Sequence, residues 1–141
     1  AKQVGYDVDT RWNSTYIMIA DALRLQKELG QFVRMHPDVH ALQLNENEWS
    51  ILQQVAKVLK PFWDHTNSVS KSCPTIVESL PIYWSLDDLL DEVQKAEGDF
   101  EDVDTEIRNA VERGIQKMNK FARKMDTNLL YYVASVLDPA Y

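Results

Sequence analysis

The sequence predicts an all-α fold, and three observations carry that prediction. Apolar residues recur at helical rather than alternating spacing along almost the whole chain. Side-chain capping patterns stand at the heads of several of these runs. Glycine and proline are few, four and five in 141 residues, so the runs are long and the connections short. About five helices in an irregular bundle follow.

Asn13 or Ser14 is placed to cap a first helix. Met18, Ala22, Leu25, Leu29 and Phe32 follow at helical spacing, and a second row of Trp12, Tyr16, Ile19, Ala20 and Leu23 widens the face to be buried. Pro37 disfavours helical geometry at His36 and should end this helix. Residues 37–45 read as a loop. Asn45, with Glu48 three residues on, forms a capping box for a second helix. Its inward stripe is Leu52, Val55, Ala56, Leu59, Phe62, Trp63 and Thr66. Pro61 falls inside that stripe and should kink the helix or divide it. Thr75 and Glu78 form another capping box, heading a third helix with Ile76, Leu80, Tyr83, Leu86, Leu90 and Val93 inward and Pro81 near its start.

Gly98 and the acidic run from Glu97 to Asp104 mark a loop. The fourth helix places Val103, Ile107, Ala110, Val111, Ile115, Met118, Ala122 and Met125 on one face. Thr127 is placed to cap a last helix, Asn128 to about Leu137, which Pro139 ends. That helix is apolar nearly all round and should be buried. The only candidate strand is Val4 to Val8. Trp49, Trp63 and Trp84 fall on or beside the inward stripes, so core packing is the default for each. An exposed one among them would point to a contact with another protomer.

The balance of 45% hydrophobic and 26% charged residues is that of a soluble globular protein, and the length suits one domain spanning 1–141. No apolar run approaches the roughly 20 residues that cross a membrane, and neither a membrane partner nor a small-molecule substrate is expected. A single cysteine, Cys73, excludes an internal disulfide and fits a reducing compartment. With no initiator methionine and an end inside a motif, the chain reads as a piece of a longer protein. The net charge of −7, taken alone, argues against a dedicated nucleic-acid-binding domain. The charge is unevenly placed, however: residues 75–106 carry net −10 and residues 107–141 net +3.

The segment Asp7-Val8-Asp9-Thr10-Arg11-Trp12-Asn13-Ser14-Thr15-Tyr16 resembles the D-x-x-T-R-W-N-S-T-Y block of hAT (hobo–Activator–Tam) DNA transposases. Further landmarks fall in that family's order. Glu48-Trp49 with Val58-Leu59-Lys60-Pro61-Phe62 resembles its E-W…L-K-P-F segment. Ser72-Cys73-Pro74-Thr75 resembles its S-x-Y-P-T turn, and Leu80-Pro81-Ile82-Tyr83 its L-P-x-Y. Leu137-Asp138-Pro139-Ala140-Tyr141 resembles its L-D-P-R-Y. Two positions depart: Cys73 stands where an aromatic is usual, and Ala140 where an arginine is usual, which removes a charge from the last motif.

The resemblance implies that residues 13–141 are part of the helical insertion of a ribonuclease H-like transposase core, with residues 1–12 leading in from it. It places the family's catalytic carboxylates outside this chain, so no catalytic and no metal-binding residue is expected here. Mg²⁺ is expected for the parent enzyme and no cofactor in this fragment. Asp7 and Asp9 read as turn or capping residues. The expected role is a non-catalytic one in DNA-end binding and assembly of a cut-and-paste transposition complex in the nucleus. The parent protein would bring DNA as the partner, with homo-oligomerisation as a further option. The alternative is a protein-interaction or dimerisation module of a domesticated, inactive hAT-like protein.

The resemblance makes Arg11, Trp12 and Asn13 the first DNA-binding candidates. An arginine pairs with phosphate through two parallel hydrogen bonds, and an indole offers a face to an unstacked base. The bland alternative packs Trp12 beside Tyr16 and pairs Arg11 with Asp7 or Asp9. A second set comes from spacing: Arg113, Lys117, Lys120 and Lys124 follow one another at +4, +3 and +4, opposite the apolar stripe of the fourth helix. Such a row either tracks a phosphate backbone or is a solvated face. The carboxylates from Asp87 to Asp104 lack calcium-loop spacing and read as a solvated loop that DNA should avoid. His36, His40, His65 and Cys73 show no zinc spacing, and no phosphate-binding glycine loop is present.

Overall fold

The computed structural model describes residues 4–5, 12–71 and 76–137, except the side chains of Trp12 and Lys71. Among the described residues every regular element is helical. Six α-helices run α1 (Trp12–Arg24), α2 (Gln26–Met35), α3 (Glu46–Lys71), α4 (Ser79–Lys95), α5 (Thr105–Asp126) and α6 (Leu129–Leu137), with short 3-10 turns at Pro37–Leu42, Ile76–Glu78 and Gly98–Phe100. The all-α expectation is met. The chain divides into two compact units, Ala1–Trp63 and Asp64–Tyr141.

In the first unit the expected first helix is two. Leu25 leaves helical geometry at φ −104° and ψ 17°, yet its N–H still donates to the Asp21 carbonyl at 3.0 Å and its own carbonyl accepts from Leu29 at 2.9 Å. The distortion is confined to one residue, and that residue is buried, as is Ile19. The helix starts at Trp12, so Asn13 and Ser14 lie inside its first turn rather than capping it. Phe32 was expected inward and is 52% exposed. It forms a local pair instead: its ring stacks on His36 at 4.1 Å, and His36 Nδ1 lies 2.8 Å from the Phe32 carbonyl oxygen. The helix ends where Pro37 requires, with His36 extended at φ −123° and ψ 96°. The loop that follows contains the 3-10 turn Pro37–Leu42.

The Asn45–Glu48 capping box is formed in both directions. Glu48 N–H donates to Asn45 Oδ1 at 2.9 Å, and Asn45 N–H donates to Glu48 Oε2 at 2.8 Å. These bonds satisfy donors that a helix start leaves orphaned. Pro61 does not divide α3, which runs unbroken from Glu46 to Lys71. Val58 is its buried residue, and Trp63 meets Tyr16 in a tilted ring contact at 5.7 Å.

In the second unit α4 packs against α5. Leu80, Leu90 and Val93 from α4 and Ile107 and Val111 from α5 are buried, with Val93 fully enclosed. Thr75 lies outside the described residues, and with it the expected box; Glu78, the residue before α4, does not cap that helix with its side chain. Pro81 is the third residue of α4, where its missing N–H costs no helical bond. Helix α4 closes on Ala96 in the left-handed region, φ 55°. The acidic connection then turns inward: Phe100 and Val103 are buried although Glu101 and Asp102 between them are exposed. Asp104 caps α5, accepting from the Glu106 N–H at 2.8 Å.

Three expectations for this unit are corrected. Ala110 is exposed, lying off the axis of the Ile107–Val111–Ile115–Met118 stripe. Thr127 closes α5 rather than opening α6, its hydroxyl donating to the Lys124 carbonyl at 3.0 Å. Asn128 takes the capping role, its Oδ1 accepting from Leu130 N–H at 3.1 Å. Helix α6 is not buried: Leu129, Leu130, Tyr132, Val133, Val136 and Leu137 are all exposed. It rests on α5 and the Ile76–Glu78 turn, and only Tyr131, Ala134 and Ser135, at helical spacing on one side, are half-covered.

Candidate nucleic-acid interface

The two sets of candidate residues lie in different units. Arg11 is outside the described residues. Trp12 opens α1, and Asn13 follows it, half-buried, with its side-chain carbonyl oxygen enclosed and without a hydrogen-bond donor among the described residues.

Upstream of them, Gly5 is fixed against α1. Its N–H donates to Asp21 Oδ2 at 3.0 Å, and Arg24 Nη2 donates to Asp21 Oδ1 at 2.8 Å. The Arg24 hydrogen bond, then the Gly5 bond, hold the Asp21 carboxyl below its ordinary pKa. The approach is close: a Cβ on Gly5 would meet Ile17 Cγ2 at 2.9 Å, so glycine is the residue that fits. Asp21 was missed by sequence reasoning. The signal was present only as an acid three residues before Arg24, a pairing too common on helices to single out.

The second set is better described. Arg113, Lys117, Lys120 and Lys124 are all exposed along α5, opposite buried Ile107 and Val111. Among the described residues none of the four is ion-paired, whereas Arg24 pairs with Asp21 and Lys95 with Asp91. Lys124 Nζ lies 5.6 Å from the centre of the Phe121 ring, which is itself 54% exposed. The arrangement is a row of guanidinium and ammonium groups in water with one exposed aromatic ring among them. Cations so placed can bind phosphates, and the ring can take a base face.

The acidic side of the same unit lies on α4. Burial, with Asp91 and Asp88 nearby, pushes the Asp87 carboxyl up from its ordinary pKa. Burial, with Asp87 and Asp126, pushes the Tyr83 phenol up. Tyr83 donates to Asn119 Oδ1 at 3.3 Å, joining α4 to α5. Trp84 was expected in the core and is 56% exposed. It stands on the α4 face of Asp88 and Glu92, away from the Leu80–Leu90–Val93 side.

Among the described residues no three His, Cys, Asp or Glu side chains are grouped to hold a metal ion. His40 Nε2 lies 3.2 Å from the Arg34 carbonyl, a local contact, and His65 Nε2 lies 3.5 Å from Ser85 Oγ, between α3 and α4. Among the described residues no helix is long and apolar enough to cross a membrane.

An all-α chain with an exposed cationic helix face is what the fold and surface define, and its first 58 residues match the family described as the ZBED1 RNase-like helical domain. Over part of its length the chain is similar to hAT-transposase-like proteins. It is 38% identical over 71 residues to "Putative AC transposase" of Zea mays. It is 33% identical over 76 residues to "Putative transcriptional regulator tpeD" of Talaromyces stipitatus. These alignments cover 50% and 52% of this chain but only 9% of each relative's length. No solved structure matches the chain.

Proposed function

We propose that this chain is a non-catalytic helical segment of a hAT-type transposase-like protein that supports DNA-end binding and assembly of a transposition complex in the nucleus. The observation that supports this reading best is the row Arg113, Lys117, Lys120 and Lys124 on the outer face of α5, exposed and without an ion pair among the described residues. Arg11, Trp12 and Asn13 are the proposed contacts at the other unit, on the strength of the motif they occupy. The relative named as a transposase supports DNA as the ligand, and both relatives' names fit a nuclear protein. A cationic row binds phosphate without reading sequence, so the expected contribution is to affinity and register rather than to base choice. The DNA path should avoid the acidic α4 face.

The test is duplex binding by the 141-residue chain across a salt series. Each phosphate contact contributes about 0.9 to the log–log salt slope, so Lys120→Gln with Lys124→Gln lowers the slope by about two. An unchanged slope with folding intact removes α5 from the interface.

A second reading, an interaction or dimerisation module of a domesticated hAT-like protein, is favoured by a different observation. Trp84 and the outer side of α6 present large apolar side chains to solvent. Retained self-association without measurable DNA binding would select it.

A further inference from the structure

Trp84, Asp88 and Glu92 stand four residues apart on the exposed face of α4. Phe121, Lys117 and Arg113 stand four residues apart on the exposed face of α5, counted in the opposite chain direction. Each triplet is an aromatic residue followed by two charges, acidic on α4 and basic on α5. Both aromatic rings are more than half exposed, and neither has a core to enter. Among the described residues, Asp88, Glu92, Arg113 and Lys117 take part in no ion pair within the chain, while neighbouring Asp91 is engaged by Lys95 at 3.1 Å. Rows at i±4 spacing are the ridges by which helices pack.

We propose that the outer face of α4 is a docking surface for α5 of a second copy of this chain. The helices run antiparallel, with Trp84 against Phe121, Asp88 against Lys117 and Glu92 against Arg113. The aromatic pair supplies the buried apolar contact, and the two charge pairs fix register and direction. The charge pattern is what commits the occupant: the one chain carries both halves of the match. This inference does not depend on DNA binding, since Lys120 and Lys124 lie outside the docking register. Duplex DNA would compete at Arg113, Lys117 and the Phe121 ring.

The experiment is sedimentation of the 141-residue chain over a concentration series, with two charge-reversed variants. One is Asp88→Lys with Glu92→Lys, and the other is Arg113→Glu with Lys117→Glu. The native chain should self-associate, and each variant alone should do so about tenfold more weakly or worse, because like charges then face each other at the interface. An equimolar mixture of the two variants should associate again, since every reversed face then meets its complement. Both variants remain net negative, starting from −7, so gross attraction cannot produce that recovery. Circular dichroism confirms that each variant keeps its helices. Trp84→Ala should weaken the native association. A native chain that stays monomeric, or variants that fail to recover on mixing, overturns the proposal. So does association that survives both reversals and is lost on Leu130→Lys with Val136→Lys, which places the interface on α6.

Discussion

Phe100→Ala lowers the stability of the Asp64–Tyr141 unit by about 3–5 kcal/mol, the range for truncating a buried aromatic ring. Phe100 is only 5% exposed, although it sits in the most acidic stretch of the chain. Its N–H donates to the Glu97 carbonyl at 3.0 Å, and its carbonyl accepts from Val103 at 3.1 Å. The ring is therefore buried from a hydrogen-bonded 3-10 turn that contacts α4, three residues before buried Val103. Its removal leaves a cavity under the turn and frees a connection whose carboxylates repel one another. Chemical denaturation followed by tryptophan fluorescence measures the loss. Phe100→Leu keeps most of the apolar volume and should cost clearly less. A loss below about 1 kcal/mol for the alanine variant would mean that the acidic connection is not anchored by this ring.

Leu25→Ala is the counterpart in the Ala1–Trp63 unit, with an expected cost of about 2–5 kcal/mol. Leu25 is 6% exposed and is the one residue between α1 and α2. Its backbone keeps the helical hydrogen bonds on both sides while its dihedrals depart from the helix. The buried side chain is the interaction that offsets the distorted geometry. With alanine there, a straight helix through residue 25 becomes favourable, and the unit loses one of its few buried apolar side chains. Amide hydrogen exchange reports this directly: protection should fall in α2, a helix with no buried residue of its own. Exchange unchanged in α2 would show that Leu25 does not hold the junction.

The parts of the fold legible in the sequence were those set by local chemistry. The Asn45–Glu48 box, the stop at Pro37 and the inward faces of α4 and α5 follow from capping, proline sterics and 3.6-residue periodicity. What failed depended on tertiary partners. Helix α6 is apolar enough to be buried, but the described residues cover only one side of it. Phe32 had the spacing of a core residue and instead found a local partner in His36. Trp84 is an apolar residue on a polar face, outside the inward row, and the core default for a large apolar residue beside that row placed it on the wrong side of α4. Phe100 was hidden by its acidic neighbours, whose solvation is genuine. Of the candidate interface, the α5 row was readable because cationic residues at helical spacing must share a face. The Asp21 anchor of Gly5 was not readable, because it joins residues sixteen apart through a backbone N–H.

The measurement closest to the central claim is an NMR titration of the isotopically labelled 141-residue chain with a short duplex at low salt. The account predicts chemical-shift changes along the outer face of α5, at Arg113, Lys117, Lys120 and Lys124, and at the start of α1 around Trp12. It predicts none centred on the acidic face of α4. Shifts concentrated on α4 or α6, or no shifts at duplex concentrations that saturate ordinary non-specific binding, would contradict it.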